Sequence, residues 1–204
     1  MDFEGLTTDD LANVTALNRA WLDLGNREAG AARLPLARID RLAAAPFLLF
    51  SFREHDEALW QRLLGADRQA DLLDGPVSDD PALGSLQAAG LAFLWELARR
   101  NPYVARVVTG ATLAWCNALA AATLADLLGR VAHALIIEAR FSAHDARLER
   151  LLADGVSRDE AVRAATQLGV LHSLLTRNRD AGYEHLPAAA CSLRLPHRKV
   201  ADEV

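Results

Sequence analysis

His55-Asp56 and His144-Asp145 are the places where residue type and spacing could do chemistry. A His-Asp dyad serves a hydrolase when an upstream His and a downstream Asp converge with it on one metal ion, which then activates water. His133 and Asp180 could complete such a set, but nothing in their spacing selects them. An Asp in the first turn of a helix, favoured by the helix dipole, accounts for both Asp residues without a metal. Ser-His-Asp combinations can be assembled, yet no GxSxG elbow frames a nucleophile. No GxGxxG or Walker loop is present to cradle a phosphate. The residues therefore predict a chain that is not an enzyme, with no catalytic, metal-binding or cofactor-binding residues and no cofactor. A metal-dependent hydrolase ranks a distant third among the functions considered.

The chemistry-bearing residues sit in a chain built to be helical. Apolar residues make up 51% of its 204 positions, enough for a substantial core. Ala and Leu dominate and β-branched residues are few, which favours helix. The net charge of −5 carries no long basic run, so unaided binding to a phosphate backbone is disfavoured. The N-terminus has no signal-peptide pattern, and apolar runs are broken before membrane-spanning length, which predicts a cytoplasmic protein without membrane contact. Cys116 and Cys191 form no CxxC pair and read as reduced thiols, Cys116 as a small core residue.

In chain order, Thr7 to Asp10 is a capping box that opens a helix carrying Leu11, Val14, Leu17, Trp21 and Leu24. Pro35 suits the first turn of a second, which carries Leu36, Ile39, Leu42 and Ala43. An extended apolar run follows over 47–52. Ser51-Phe52-Arg53-Glu54 is read as another box, opening a helix through Leu59, Trp60, Leu63 and Leu64. The Gly-, Pro- and Asp-rich residues 73–85 are the predicted linker. A helix from Leu86 to Arg100 precedes the densest unit, Arg99 to Asp145. That unit holds a short helix ending near Gly110, a helix with Leu113, Trp115 and Leu119, and a break at Thr123. A helix with Leu124, Leu127, Leu128 and Val131 comes next, then an extended run over 135–141. Ser142 or Ala143 starts a further helix, and Ser157 to Glu160 caps the last, with Val162, Ala165, Leu168, Leu171 and Leu174 on its apolar face. The end of the chain reads as frayed.

The two halves echo one another. Short helix, apolar extended run, Phe, His-Asp and amphipathic helix recur in the same order, at a constant offset of 89 (144 − 55) from Ile39 to Leu63. The expectation is an all-α protein with an internal duplication, the halves packed about a pseudo-twofold axis. Residues 1–72 form one half, 86–154 the other, 155–178 a C-terminal helix, and 179–204 an irregular tail.

Gly110-Ala111-Thr112-Leu113, Ala118-Leu119, Thr123-Leu124, Leu127 and Arg140-Phe141-Ser142-Ala143-His144 together resemble FlhD, a subunit of the flagellar master transcriptional activator. The likeness is best over 99–145 and fainter over 36–56. It implies a small helical protein that dimerises and joins a second, FlhC-like subunit to bind promoter DNA; a tandem copy would be a single-chain version of that dimer. The chain departs from the pattern in two places. Val107-Val108-Thr109 stands where the family has Phe-Arg, with Arg106 the nearest base, and Glu138 stands at about the position of the family's intersubunit Cys.

The expected function is an FlhD-like regulatory subunit working through protein–protein contact, with DNA bound only within a complex and a homo-oligomer as a further partner. The alternative is a helical adaptor without a DNA role. Candidate DNA or partner contacts are Arg99, Arg100 and Arg106; candidate interface anchors are Trp95, Trp115 and Phe141.

Overall fold

Thr7 closes the first turn of the chain as its sequence predicts: its hydroxyl accepts from the Asp10 N–H, and the Asp10 carboxylate takes both the Thr7 N–H and O–H. A computed structural model describes residues 5–28, 33–65, 80–132 and 134–176. In order these give α1 (Thr8–Glu28), α2 (Leu36–Ala43), β1 (Phe50–Ser51), α3 (Glu57–Leu64), α4 (Pro81–Arg100) and α5 (Pro102–Thr109). Then follow α6 (Leu113–Ala121), α7 (Leu124–Val131), β2 (Glu138–Ala139), α8 (Ala146–Ala153) and α9 (Glu160–Leu175). The fold is all-α, with two short strands among the described residues. No single helix among the described residues is long and apolar enough to cross a membrane.

Local chemistry sets most of these boundaries. Asn101, Thr112 and Thr123 cap α5, α6 and α7, each accepting from an N–H of the first turn. Gly110 ends α5 at φ 70, a left-handed backbone that glycine adopts without steric cost. Four starts differ from expectation. The linker read over 73–85 overlaps α4, which begins at Pro81 with Asp80 as its cap. Ser51 caps no helix: its hydroxyl donates to the Glu54 carboxylate at 2.6 Å, and Asp56 caps α3 instead. Asp145 rather than Ser142 or Ala143 starts α8, and Asp159 rather than Ser157 caps α9. His133, Asp180, Cys191 and the expected tail lie outside the described residues.

The two extended runs pair with each other. Phe50 lies opposite Ala139 and Ser51 opposite Glu138, antiparallel. With an offset of 89, Phe50 pairs with its own counterpart, and Ser51 with the counterpart of Leu49. That register is what a twofold axis through the Phe50–Ala139 pair generates. The flanking helices obey the same relation: α8 is α3 shifted by 89, cap included. The offset is not constant over the whole echo, however. It is 88 between α2 and α7 (124 − 36), and the additional residue falls between α7 and the extended run.

Arginines cross the seam in both directions. Arg41 on α2 donates to the Val156 carbonyl at 2.6 Å and Arg38 to that of Leu152, just past and within the last turn of α8. Arg130 on α7 donates to the Leu63 carbonyl at 3.0 Å and to that of Gly65, at the end of α3. Each half thus satisfies helix-end carbonyls of the other, which a helix cannot satisfy by itself.

The hydrophobic core is centred on this seam. Phe47, Leu48, Phe50 and Phe52 are fully buried, and Trp21, Phe50 and Phe52 form a chain of ring contacts at 5.4 Å. Each buried ring contributes roughly 1.5–3 kcal/mol relative to exposure. Gly90 on α4 admits this cluster, because a Cβ there would lie 2.6 Å from Phe52 Cζ. On α2 the predicted Ile39, Leu42 and Ala43 are buried, and on α9 Leu171 and Leu174 are, but each apolar set extends too far toward its helix start. Leu36 is 66% exposed, and Val162, Ala165 and Leu168 point outward while α9 packs through Gln167, Val170, Leu171 and Leu174.

Candidate functional site

Asp56 accepts from the Leu59 N–H and Asp145 from the Arg147 N–H, so both Asp residues of the His-Asp pairs act as helix caps. Each also holds a guanidinium, Arg53 at 2.6 Å and Arg147 at 2.5 Å. Among the described residues, no three His, Cys, Asp or Glu side chains are grouped as a metal site requires. Cys116 is buried in the core, where burial first and Glu54 second push its thiol up to about 12. At that value it is a neutral packing group rather than a nucleophile.

The seam holds a dense polar cluster. Arg140, 8% exposed, donates to the carbonyls of Leu48 at 2.7 Å and Phe50 at 2.6 and 3.0 Å, and to that of Thr109. It also pairs with Glu54, 5% exposed, at 3.1 Å. One guanidinium therefore ties β1, the end of α5 and the turn before α3 together. Arg53 sits beside this group at φ 53, the positive-φ non-glycine residue among those described. Its N–H is held by the Ser51 hydroxyl, and its carbonyl accepts from the Trp60 indole.

Two buried amides organise the halves. Asn18 on α1 donates to the carbonyls of Ala43, Ala45 and Phe47 and accepts from the Leu49 N–H. Gln87 on α4 donates to the carbonyls of Val131 and Ala134 and accepts from the N–H groups of Ile136 and Ile137. Each turns the chain from short helix into extended run, once per half. That relation makes α4 the counterpart of α1, at an offset of 69 (87 − 18). Neither amide was singled out from the sequence. The available signal was a polar residue lying next to the apolar face, at Leu17-Asn18 and Leu86-Gln87.

The same relation isolates what differs between the halves. Asn26 on α1 donates to the Leu34 carbonyl, two residues before α2. Its counterpart, Trp95 on α4, donates from Nε1 to the Ala122 carbonyl at 2.8 Å, two residues before α7. An asparagine suffices for this contact, so the half-buried indole brings area beyond it. Arg99 lies over that indole, 4.7 Å from the ring centre. In addition, α5 and α6 lie between α4 and α7, whereas α1 and α2 are joined by a short connection.

The remaining candidates are dispersed. Arg100 pairs with Asp10 at 2.5 Å, in a cleft of about 250 Å³ whose lining includes Asp9, Asp10 and Glu96. Burial raises the Asp10 carboxyl, but the bonds from Arg100 and Thr7 outweigh it and hold the group below the usual range. Arg106 donates to the Leu175 carbonyl of α9 at 3.4 Å. Trp115 and Phe141 are both buried. Trp115 meets Trp60 edge-on at 5.1 Å, joining α6 to α3 across the halves, and Arg147 lies over Phe141. Of the six residues, Trp95 and Arg99 are brought together and the others are not.

Compared with protein-family models, curated proteins and solved structures, the chain gives no match.

Proposed function

We propose that this chain is an FlhD-like regulatory subunit: a single-chain pseudo-dimer that works by protein–protein contact and carries out no catalysis. The observation that carries the reading is the seam. The two halves meet strand to strand at mutually equivalent residues, and Glu138, at about the position of the family's intersubunit Cys, lies within that strand pair. A dimer fused into one chain would keep its intersubunit contacts as internal ones, which fits the crossed arginines and the shared core. The surface left for a partner includes Trp95 with Arg99 on α4, exposed Tyr103 on α5, and the outward Val162 and Leu168 of α9.

A specific observation favours the adaptor reading for the DNA role. Arg100 shares its cleft with three carboxylates, and Arg106 is engaged with a backbone carbonyl. A guanidinium so surrounded is poorly placed to neutralise a phosphate, so promoter contact in this reading belongs to the partner subunit. The test is affinity purification of the tagged full chain from its native cell, with protein and DNA identified together. An FlhC-like subunit with bound promoter DNA is the expected result. Recovery of a defined partner without DNA in either component would move the assignment to an adaptor. Recovery of neither would overturn both.

A further inference from the structure

Glu138 stands where the other half has Leu49, which is buried at 7% exposure. The twofold relation therefore puts a half-buried carboxyl at a position whose counterpart is a buried leucine. In an antiparallel pair, opposite residues project to the same side. Glu138 accordingly shares a face with Ser51, whose hydroxyl is bonded to Glu54. Around it stand Arg53, Glu54 and Asp56 from the turn before α3, and Arg140 from its own strand. From the other elements, α4 presents the Gln87 amide, α5 the Thr109 carbonyl and, toward Cys116, the Arg106 guanidinium, and α6 the protonated Cys116 beside Glu54.

The charges do not balance. Arg140 is paired with Glu54 and Arg53 with Asp56, so the two guanidiniums already have their carboxylates. Glu138 is a third carboxyl against two cations. Neutral, it leaves the half-buried cluster balanced; ionised, it adds an uncompensated negative charge beside Glu54.

We propose that Glu138 is a proton-operated latch on the seam: the halves close most tightly when it is neutral and loosen when it ionises. This inference does not depend on the regulatory reading above. Burial pushes the Glu138 carboxyl above the ordinary glutamate range; Glu54 and Asp56 push the same way, and Arg53 and Arg140 pull back without cancelling the shift. The sign follows from linkage. Between the ordinary and the raised value the folded protein binds more protons than the unfolded chain. Stability is therefore lost as pH rises through that window, by at most about tenfold in the folded-to-unfolded ratio per pH unit.

The test compares urea unfolding of the full-length wild type with Glu138→Leu, which restores the residue of the other half, from pH 4.5 upward. Protection of the Arg140 N–H, which bonds to the Leu49 carbonyl across the seam, is followed by hydrogen exchange corrected for intrinsic rate. The expected result is that Glu138→Leu gains stability over wild type progressively as pH rises, and that Arg140 protection falls with pH only in the wild type. Glu138→Gln, close in shape and uncharged, is expected to flatten the profile in the same way and decides the matter should the leucine variant not fold. Parallel stability profiles for wild type and the folded variant would overturn the proposal. So would Arg140 protection whose pH dependence survives the substitution.

Discussion

Arg140→Ala is expected to destabilise the protein by about 3–5 kcal/mol, the range for removing one partner of a buried ion pair. The loss goes beyond the pair itself. Without the guanidinium, Glu54 remains at 5% exposure with a charge and only the Ser51 hydroxyl bonded to it. The carbonyls of Leu48, Phe50 and Thr109 lose their side-chain donor at the same time. Urea unfolding followed by far-UV circular dichroism measures the change. Arg140→Met with Glu54→Gln removes both charges and is expected to recover part of the loss, since most of the penalty comes from an isolated buried charge rather than from the missing attraction. A loss under about 1 kcal/mol for Arg140→Ala would show that the seam does not depend on this group.

Asn18→Ala and Gln87→Ala are each expected to cost about 3 kcal/mol, because several backbone groups lose a partner out of reach of water. Removal of Asn18 orphans the Leu49 N–H, held at 2.8 Å. Removal of Gln87 orphans the Ile136 N–H, also held at 2.8 Å, and weakens the support of Ile137. Asn18→Leu and Gln87→Met restore volume without restoring the bonds, so they separate packing from hydrogen bonding. If the bonds dominate, these variants stay nearly as unstable as the alanine ones. Similar costs in the two halves would reflect the similar task of the two amides. A large cost for one and none for the other would mean that the likeness of the halves stops at the backbone.

The sequence was a good guide wherever one side chain decides the local outcome. Thr7 marks a helix start because its cap is completed three residues on, and the break read at Thr123 is where Thr123 caps α7 through the Asp126 N–H. It misled where the same local pattern had a second use. Ser51 and Glu54 have capping-box spacing, but Arg53 takes a left-handed φ and turns the chain, so the two side chains bond each other and Asp56 becomes the cap. Asp80-Pro81 is a good helix start, yet the Gly- and Asp-rich residues before it hid it among linker-like composition.

Long-range contacts were legible only through the repeat. The shared order of elements predicted halves packed about a pseudo-twofold axis, and the two extended runs pair where the halves meet. The one-residue shift between α7 and the strand was hidden, because leucines recur at helical spacing and tolerate a slip. Asn18, Gln87 and the Arg140–Glu54 pair could not be read at all. A polar residue beside an apolar face looks solvent-exposed until its partners, dozens of residues away, are known. Among the site candidates, Trp95 and Arg99 were brought together, whereas Trp115 and Phe141 were claimed by the protein's own core.

The register of the strand pair is open to a direct test by cross-linking. Ser51→Cys with Glu138→Cys places two thiols at opposite positions of an antiparallel pair, the spacing at which disulfides are found. Under mild oxidation the full-length double variant is expected to form that bond within one chain, with peptide mapping recovering residues 51 and 138 linked and each single variant unchanged. Bond formation only between chains, or no bond while both thiols stay reactive, would contradict a seam in which the two halves face each other residue for residue.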